Sequence, residues 1–380
     1  MKKQDFMHHA LAGLFVLFIF AENAFAQTLT NTNSVTPDKS ATSLASASPK
    51  TSQQAAIALA KSGDAKFTGG DVEGALTDYG RALELSPNLL GACYNRAIVR
   101  QSKHDLDGAL SDFNHALEIN PKLAAAYFNR GAIKQARADL AGALADLNRG
   151  LELNTNLAKA FMVRAEIKQA MGNANGALAD YNRAVELDPK LADAYNLRGY
   201  LQVGSVASGG ALAGALEGAI TDFDHVLALN PTNAFALASR SFAKASQTDW
   251  PGALADCNRA LELDPTMIKA HLLRGMIEFH MRDYKSSVAD LDIMLAAESK
   301  NIYAYEYRAQ AEMRLQKYTA VIADCTHVIE LDFKNADAYN FRSCAKVFTG
   351  DIAGADSDSE TAHQLDPTRY PNRRDHETQK

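Results

Sequence analysis

A chain of 380 residues would, on length alone, suggest two or three globular domains. Its 39 basic and 45 acidic residues give a formal net charge of −6, and no arginine- or lysine-rich stripe stands out. Nucleic-acid-binding proteins normally carry such a stripe, so a nucleic-acid partner is not expected. The hydrophobic fraction of 47% includes much alanine, which is typical of closely packed helices.

The first 26 residues have the three parts of a secretory signal peptide. Lys2 and Lys3 give a positive start, Ala10 to Ala21 is apolar, and Ala24-Phe25-Ala26 supplies small residues where a signal peptidase reads. A membrane anchor is the competing interpretation, but spanning a bilayer takes roughly 20 apolar residues and this run has 12. We therefore expect residues 1–26 to be cleaved and the protein to be exported, to the periplasm in preference to full secretion, without stable membrane insertion.

Residues 27–55 are rich in serine, threonine and asparagine and hold almost no bulky apolar side chains. Such a segment cannot bury enough surface to offset its ordering entropy, so it is predicted to be a disordered tether. We favour a spacer over a binding motif for this linker.

The rest of the chain is built from one repeated unit. The sequence GALTDYGRALELSP, from Gly74 to Pro87, returns 34 residues later as GALSDFNHALEINP. The nine copies begin at Gly74, Gly108, Gly142, Gly176, Gly218, Gly252, Ser286, Ala320 and Gly354. A fixed period of this size is the sequence mark of a stacked repeat array.

Each copy is preceded by a second helical segment, and small residues recur in both segments. With Ala56 as position 1 of the first repeat, position 20 is Ala75 and position 8 is small throughout. Two short helices, a small residue in each, and a proline after most second helices resemble the tetratricopeptide repeat (TPR). The resemblance implies an all-α, right-handed superhelical solenoid of about nine helix-turn-helix repeats over residues 56–369.

Two parts of the array depart from the period. The fifth repeat carries eight extra residues, since its copy begins 42 rather than 34 residues after the last, near residues 204–213. Gly204, Gly209 and Gly210 favour a loop, although residues 211–217 could instead lengthen the second helix. Such a loop could contact a partner, but a neutral insertion is favoured.

The ninth repeat, residues 336–369, has a polar second helix. Asp356, Ser359 and His363 stand where earlier repeats carry large apolar residues. Since the last helix of an array has no following repeat to cover it, this repeat is predicted to be a C-terminal cap. Residues 370–380 are predicted to be a flexible tail.

Arginine at position 7 and aspartate at position 23 recur along the array, and we call them the Arg–Asp ladder. Its members are Asp78, Arg96, Asp112, Arg130, Asp146, Arg164, Asp180, Arg198, Asp222, Arg240, Asp256, Arg274, Asp290, Arg308, Asp324 and Arg342, with Asp358 left over in the cap. A row of arginines could bind anions, but the matching carboxylates favour structural ion pairs. Pairs could form within a repeat or between repeats; we favour pairing between repeats, as in Asp78–Arg96, because it would set the repeat register.

The TPR resemblance implies a concave groove lined by the first helices. The candidate partner-binding residues are Tyr94, Ile98, Gln101, Phe128, Gln135, Met162, Gln169, Asn196, Tyr200, Phe242, Leu272, Met276 and Phe279, with Glu166 beside them. The lysines and asparagines with which some family members clamp a peptide carboxylate are absent here. Aromatic, Met and Gln side chains suit an extended or helical peptide, unless curvature buries them between repeats.

No pattern of catalytic or metal-binding residues is present. The histidines form no metal-spaced pair, and there is no phosphate loop, nucleophile elbow or HExxH motif, so neither enzyme activity nor a metal or cofactor is predicted. Cys325 and Cys344 are the only plausible disulfide pair among the four cysteines, and free thiols are favoured.

These features predict a non-enzymatic scaffold of the cell envelope that binds a protein or peptide in its groove. A second hypothesis is a structural subunit that self-assembles or organises a complex through its convex face or its ends. A third is an accessory subunit of an envelope enzyme.

Overall fold

The computed structural model describes residues 49–207 and 214–371. The predicted signal peptide, linker residues 27–48, the insertion residues 208–213 with Gly209 and Gly210, and tail residues 372–380 lie outside the described residues. Within the described ranges the chain forms 18 helices and no strand, as predicted for an all-α repeat protein. None of these helices has the length and apolarity needed to span a membrane.

The helices alternate as the first and second members of nine hairpins. Their bounds are α1 Pro49–Thr68, α2 Val72–Leu85, α3 Leu90–Ser102, α4 Leu106–Ile119, α5 Ala124–Ala136, α6 Leu140–Leu153, α7 Ala158–Ala170, α8 Ala174–Leu187, α9 Ala192–Ala207, α10 Ala215–Leu229, α11 Ala234–Ser246, α12 Trp250–Leu263, α13 Ile268–His280, α14 Tyr284–Ala297, α15 Ile302–Arg314, α16 Tyr318–Leu331, α17 Ala336–Thr349 and α18 Ile352–Leu365. Neighbouring helices along the chain contact each other, and within each half of the array odd-numbered helices also touch, as in α1 with α3 and α13 with α15.

The second helix of most hairpins starts at a side-chain cap. Asp71 accepts a hydrogen bond at 2.9 Å from the backbone N–H of Gly74, which satisfies one of the free N–H groups of the first turn. The same bond is made by Asp105, Asp139, Asn173, Asp249, Asp283 and Asp351. The capping residue therefore fixes where each second helix begins.

Two boundaries differ from the sequence predictions. Helix α1 begins at Pro49 rather than Ala56, so the last part of the predicted linker is helical; proline is favoured in the first turn of a helix because its missing N–H has no partner there. In the fifth repeat α9 continues through Gly204 to Ala207, so Gly204 is helical and does not start a loop. Helix α10 begins after Gly214, whose φ of 76° suits glycine.

The described chain divides into two compact units, residues 49–194 and residues 195–371. Each unit has a core of small residues around one large side chain per repeat. In the first unit Tyr79, Phe113, Leu147 and Tyr181 take this place, and all are fully buried. A Cβ on Gly63 would lie 2.8 Å from the ring of Tyr79, which explains the need for a small residue in the facing helix.

Candidate partner-binding surfaces

The Arg–Asp ladder forms within repeats, so the predicted pairing between repeats is wrong. Arg164 donates from Nε and Nη2 to the two carboxylate oxygens of Asp180 at 2.7 and 2.6 Å. The eight pairs are Arg96–Asp112, Arg130–Asp146, Arg164–Asp180, Arg198–Asp222, Arg240–Asp256, Arg274–Asp290, Arg308–Asp324 and Arg342–Asp358. The physical reason is the antiparallel hairpin, which places position 7 of the first helix opposite position 23 of the second. Asp78, in the first repeat, accepts a hydrogen bond from Ser62 instead.

The third guanidinium nitrogen makes the link to the preceding repeat. Arg164 Nη1 donates to Asn148 at 2.9 Å, and Arg130 Nη1 donates to Asn114 at 2.7 Å. The guanidinium of Arg164 also lies 5.3 Å from the ring centre of Phe161. Since the ladder aspartates are only 2–6% exposed and already hold two-bond forks, this geometry supports a structural role rather than anion binding.

A second cation, which the sequence analysis missed, reaches most ladder aspartates from position 11. Lys168 lies 2.7 Å from Asp180, opposite Arg164. The residues that do this are Lys66, Arg100, Lys134, Lys168, Lys244 and Lys346. The signal was present in the sequence, because a basic residue recurs four places after each of these position-7 residues.

Repeats seven and eight carry glutamates, Glu278 and Glu312, at this same position. In both, atom Oε2 is buried without a hydrogen-bond partner among the described residues. Burial, reinforced by the nearby ladder aspartates, raises the pKa of Glu278 to about 8 and that of Glu312 to about 7. In repeat seven the imidazole of His271, 2.9 Å from Asp290, takes the place of the second donor.

Seven of the predicted groove residues are buried and cannot be groove contacts in this structure. Their side chains are between 0 and 8% exposed; they are Tyr94, Phe128, Met162, Tyr200, Phe242, Leu272 and Met276. They pack between helices because their size fills the space beside small residues. A Cβ on Gly150, for example, would lie 2.4 Å from the ring of Phe128. Tyr94 meets Phe113 edge-on and accepts a hydrogen bond from Asn129 at 2.9 Å.

The remaining candidates are partly exposed, namely Ile98, Gln101, Gln135, Gln169, Asn196 and Phe279. We call Gln101, Gln135 and Gln169 the glutamine row, because they occupy position 12 of three consecutive repeats. The carbonyl oxygen of Gln101 is buried without a hydrogen-bond partner among the described residues. Gln135 donates to Glu166 at 3.4 Å, and Gln169 accepts from the hydroxyl of Tyr181 at 3.3 Å.

The glutamine row lies beside two acidic groups of the first unit. Burial raises the pKa of Glu166 to about 7, the amide of Gln135 opposes that rise, and Asp193 adds to it. The pKa of Asp193 is also raised by burial, while Lys159 lowers it. This part of the first unit therefore offers both amides and carboxyl groups to a partner.

The four cysteines are free, and Cys344 is the exposed one. Burial raises the pKa of the Cys93 thiol to about 11 and that of Cys257 and Cys325 to about 12, which makes all three poor nucleophiles. Within residues 49–207 and 214–371 no group of three or more His, Cys, Asp or Glu side chains could hold a metal ion.

Comparison with known proteins agrees with this hairpin repeat. Residues 165–204 match the TPR repeat model. The C-terminal part of a TPR repeat-containing protein from Cytophaga hutchinsonii has 18% identity and a TM-score of 0.51, covering 65% of this chain and 98% of that one. A tetratricopeptide repeat protein from Parabacteroides merdae has 17% identity and a TM-score of 0.47, covering 68% and 99%.

YrrB, described as a TPR protein with an unusual peptide-binding site, has 21% identity and a TM-score of 0.43, covering 50% of this chain and 95% of that one. No curated protein matches the sequence. The Cytophaga structure shares the fold, and the repeat model matches within the same array. The described chain therefore has the fold of an all-α TPR solenoid.

Proposed function

We propose that this protein is a non-catalytic scaffold that binds an extended segment of a partner protein along α3, α5 and α7. The observation that carries the proposal is the glutamine row, Gln101, Gln135 and Gln169. The three amides stand at one repeat position, are partly exposed, and include a buried carbonyl oxygen without a partner among the described residues. A buried polar atom of this kind costs free energy until a donor reaches it.

Glutamine side chains suit a peptide backbone because each amide both donates and accepts hydrogen bonds. Neighbouring packed helices lie on the order of 10 Å apart, which an extended chain covers in about three residues. One glutamine per repeat could therefore meet every third backbone unit of the partner. Such contacts tolerate many partner sequences, and the adjacent Glu166 and Asp193 favour segments that carry basic side chains.

We place this activity in the cell envelope, with the periplasm as the expected compartment. The proposal rests on the N-terminal sequence pattern, in which residues 1–26 form the signal peptide. Mass spectrometry of the protein from its native source tests it directly. A mature N-terminus at Gln27 is expected, and an intact N-terminus on the cellular protein would contradict export by cleavage.

Partner capture from an envelope extract tests the binding proposal. Residues 27–380 are used as bait beside a Gln135→Ala, Gln169→Ala double variant and a Gln247→Ala control, since Gln247 is exposed in a turn. We expect wild type and control to retain a partner that the folded double variant loses. Equal capture by all three would contradict binding at the glutamine row. Substitutions at Phe128 are unsuitable because they would break the core.

A second candidate function, self-assembly through an end of the array, is favoured by an apolar patch on the last repeat. Phe348 is 65% exposed and stacks on Tyr318 at 4.5 Å, and Ile352 is 55% exposed. Large exposed apolar side chains that lie close together often mark contact surfaces. Sedimentation of wild type and of Phe348→Asp across a concentration series would detect such assembly. A monomer at every concentration would exclude it.

A further inference from the structure

A cavity of about 120 Å³ lies in the second unit, between the helices of repeats eight and nine. Its wall is partly apolar and includes Val328, Ala338 and Phe341. The carboxyl groups of Glu306 and Asp337 supply its acidic side. The cavity therefore joins an apolar wall to a charged end.

The two carboxyl groups have only one cationic partner between them. Asp337 accepts hydrogen bonds from the guanidinium of Arg369, at 2.8 Å, and from the hydroxyl of Tyr370. Glu306 accepts from the neutral side-chain amide of Asn335 at 2.8 Å. A buried carboxylate normally has a cation beside it, so Glu306 is one positive charge short.

Burial, together with Asp337 and Asp332, raises the pKa of Glu306 to about 7, while Arg369 and the Asn335 amide oppose the rise. At neutral pH this carboxyl group therefore divides between its neutral and charged forms. A cation placed in the cavity would favour the charged form and would gain a partly desolvated ion pair.

The other repeats show that the cavity is a local exception. Glu306 stands at repeat position 5, where Tyr94, Phe128 and Leu272 fill the space between helices with buried apolar side chains. In repeat eight the shorter, polar glutamate leaves an opening. The sequence thus replaces a packed junction with a cavity that ends in a carboxyl group.

We propose that this cavity binds one basic side chain, lysine or arginine, of the partner segment, with its charge paired to Glu306. The shape agrees with that ligand, because lysine and arginine combine an apolar stem with a cationic head. The stem would lie on Phe341 and Val328, and the head would reach Glu306. The proposal rests on the scaffold function proposed above and adds a residue preference that the glutamine row does not supply.

The test uses two fluorescein-labelled peptides, Ser-Ala-Ser-Lys-Ser-Ala-Ser-amide and a twin with norleucine in place of lysine. Fluorescence anisotropy measures their binding to residues 27–380. We expect wild type to prefer the lysine peptide by about tenfold, as a charge-assisted contact would give. Glu306→Gln should reduce the ratio to about one, and Glu330→Gln, an exposed glutamate on α16, should leave it unchanged.

Three outcomes would overturn the cavity proposal: a ratio of one in wild type, a ratio that survives Glu306→Gln, or an equal loss in Glu330→Gln. Circular dichroism of each variant checks that it is folded. The cavity lies in residues 195–371 and the glutamine row in residues 49–194. The Gln135→Ala, Gln169→Ala variant therefore tests the scaffold function separately, because it should weaken both peptides and preserve their ratio.

Discussion

Replacing Glu312 with glutamine should stabilise the protein at alkaline pH and leave it unchanged at acid pH. Glu312 is 7% exposed, and its Oε2 atom has no hydrogen-bond partner among the described residues. The ladder carboxylate of Asp324 adds to the cost of ionising it. Glutamine keeps the shape of the side chain and removes only the charge.

The magnitude follows from the pKa of Glu312, which rises from 4.5 to about 7. That shift of about 2.5 units corresponds to about 3 kcal/mol, and to about 1.5 kcal/mol once solvent screening is allowed for. Because the folded-state pKa lies above the unfolded value, the penalty is absent below about pH 4.5. It grows as the pH rises and is complete above about pH 7.

Thermal unfolding at pH 8 and pH 4.5 measures this difference. At pH 8 Glu312→Gln should raise the melting temperature by about 3 °C, and at pH 4.5 the two proteins should melt together. Glu330→Gln, on the exposed side of α16, should change neither melting temperature. A destabilised Glu312→Gln at pH 8, or an equal gain at both pH values, would refute the reasoning.

Three further substitutions test the packing, each by urea denaturation. Arg164→Met should lower the free energy of unfolding by about 3 kcal/mol because it leaves a buried aspartate with one cation, whereas the exposed Arg183→Met should cost under about 0.5 kcal/mol; equal losses would contradict a structural ladder. Gly150→Ala should cost about 2 kcal/mol by clashing with a buried ring, while Gly91→Ala, which meets nothing within 4 Å, should add about 0.5 kcal/mol; matching effects would contradict the close approach. Thr248→Gly should add about 0.5 kcal/mol, since threonine there has a left-handed φ of 65°, and a loss would contradict that strain.

The 34-residue period predicted the helices closely because it reflects local sequence. The unit from Gly108 to Pro121 lies almost entirely within α4, which runs from Leu106 to Ile119. Capping by Asp105 and the interhelical turn set these limits within a few residues. The start of α1 was less visible because residues 49–55 lie outside the period.

The partners of the ladder residues required the three-dimensional hairpin. Counting residues left pairing within a repeat and pairing between repeats equally possible, since either leaves one aspartate over. The structure decides because Arg96 faces Asp112 across its own hairpin, while Asp78 bonds to Ser62 and Lys66.

The exposure of groove residues depends on how closely the first helices approach. Position 5 supplies Tyr94 and Phe128, which read as contact residues in sequence but fill the gaps beside small residues. Position 12, one helical turn and more away, stays partly exposed, as in Gln135. A sequence pattern gives the helix face but not the depth at which a side chain ends.

Hydrogen–deuterium exchange on the complex with the captured partner tests the central claim most directly. The account predicts that partner binding slows exchange in α3, α5 and α7, around Gln101, Gln135 and Gln169, and that the Gln135→Ala, Gln169→Ala variant loses this protection. Protection confined to α17 and α18, with the glutamine helices unchanged, would contradict binding at the glutamine row and favour contact through the end of the array.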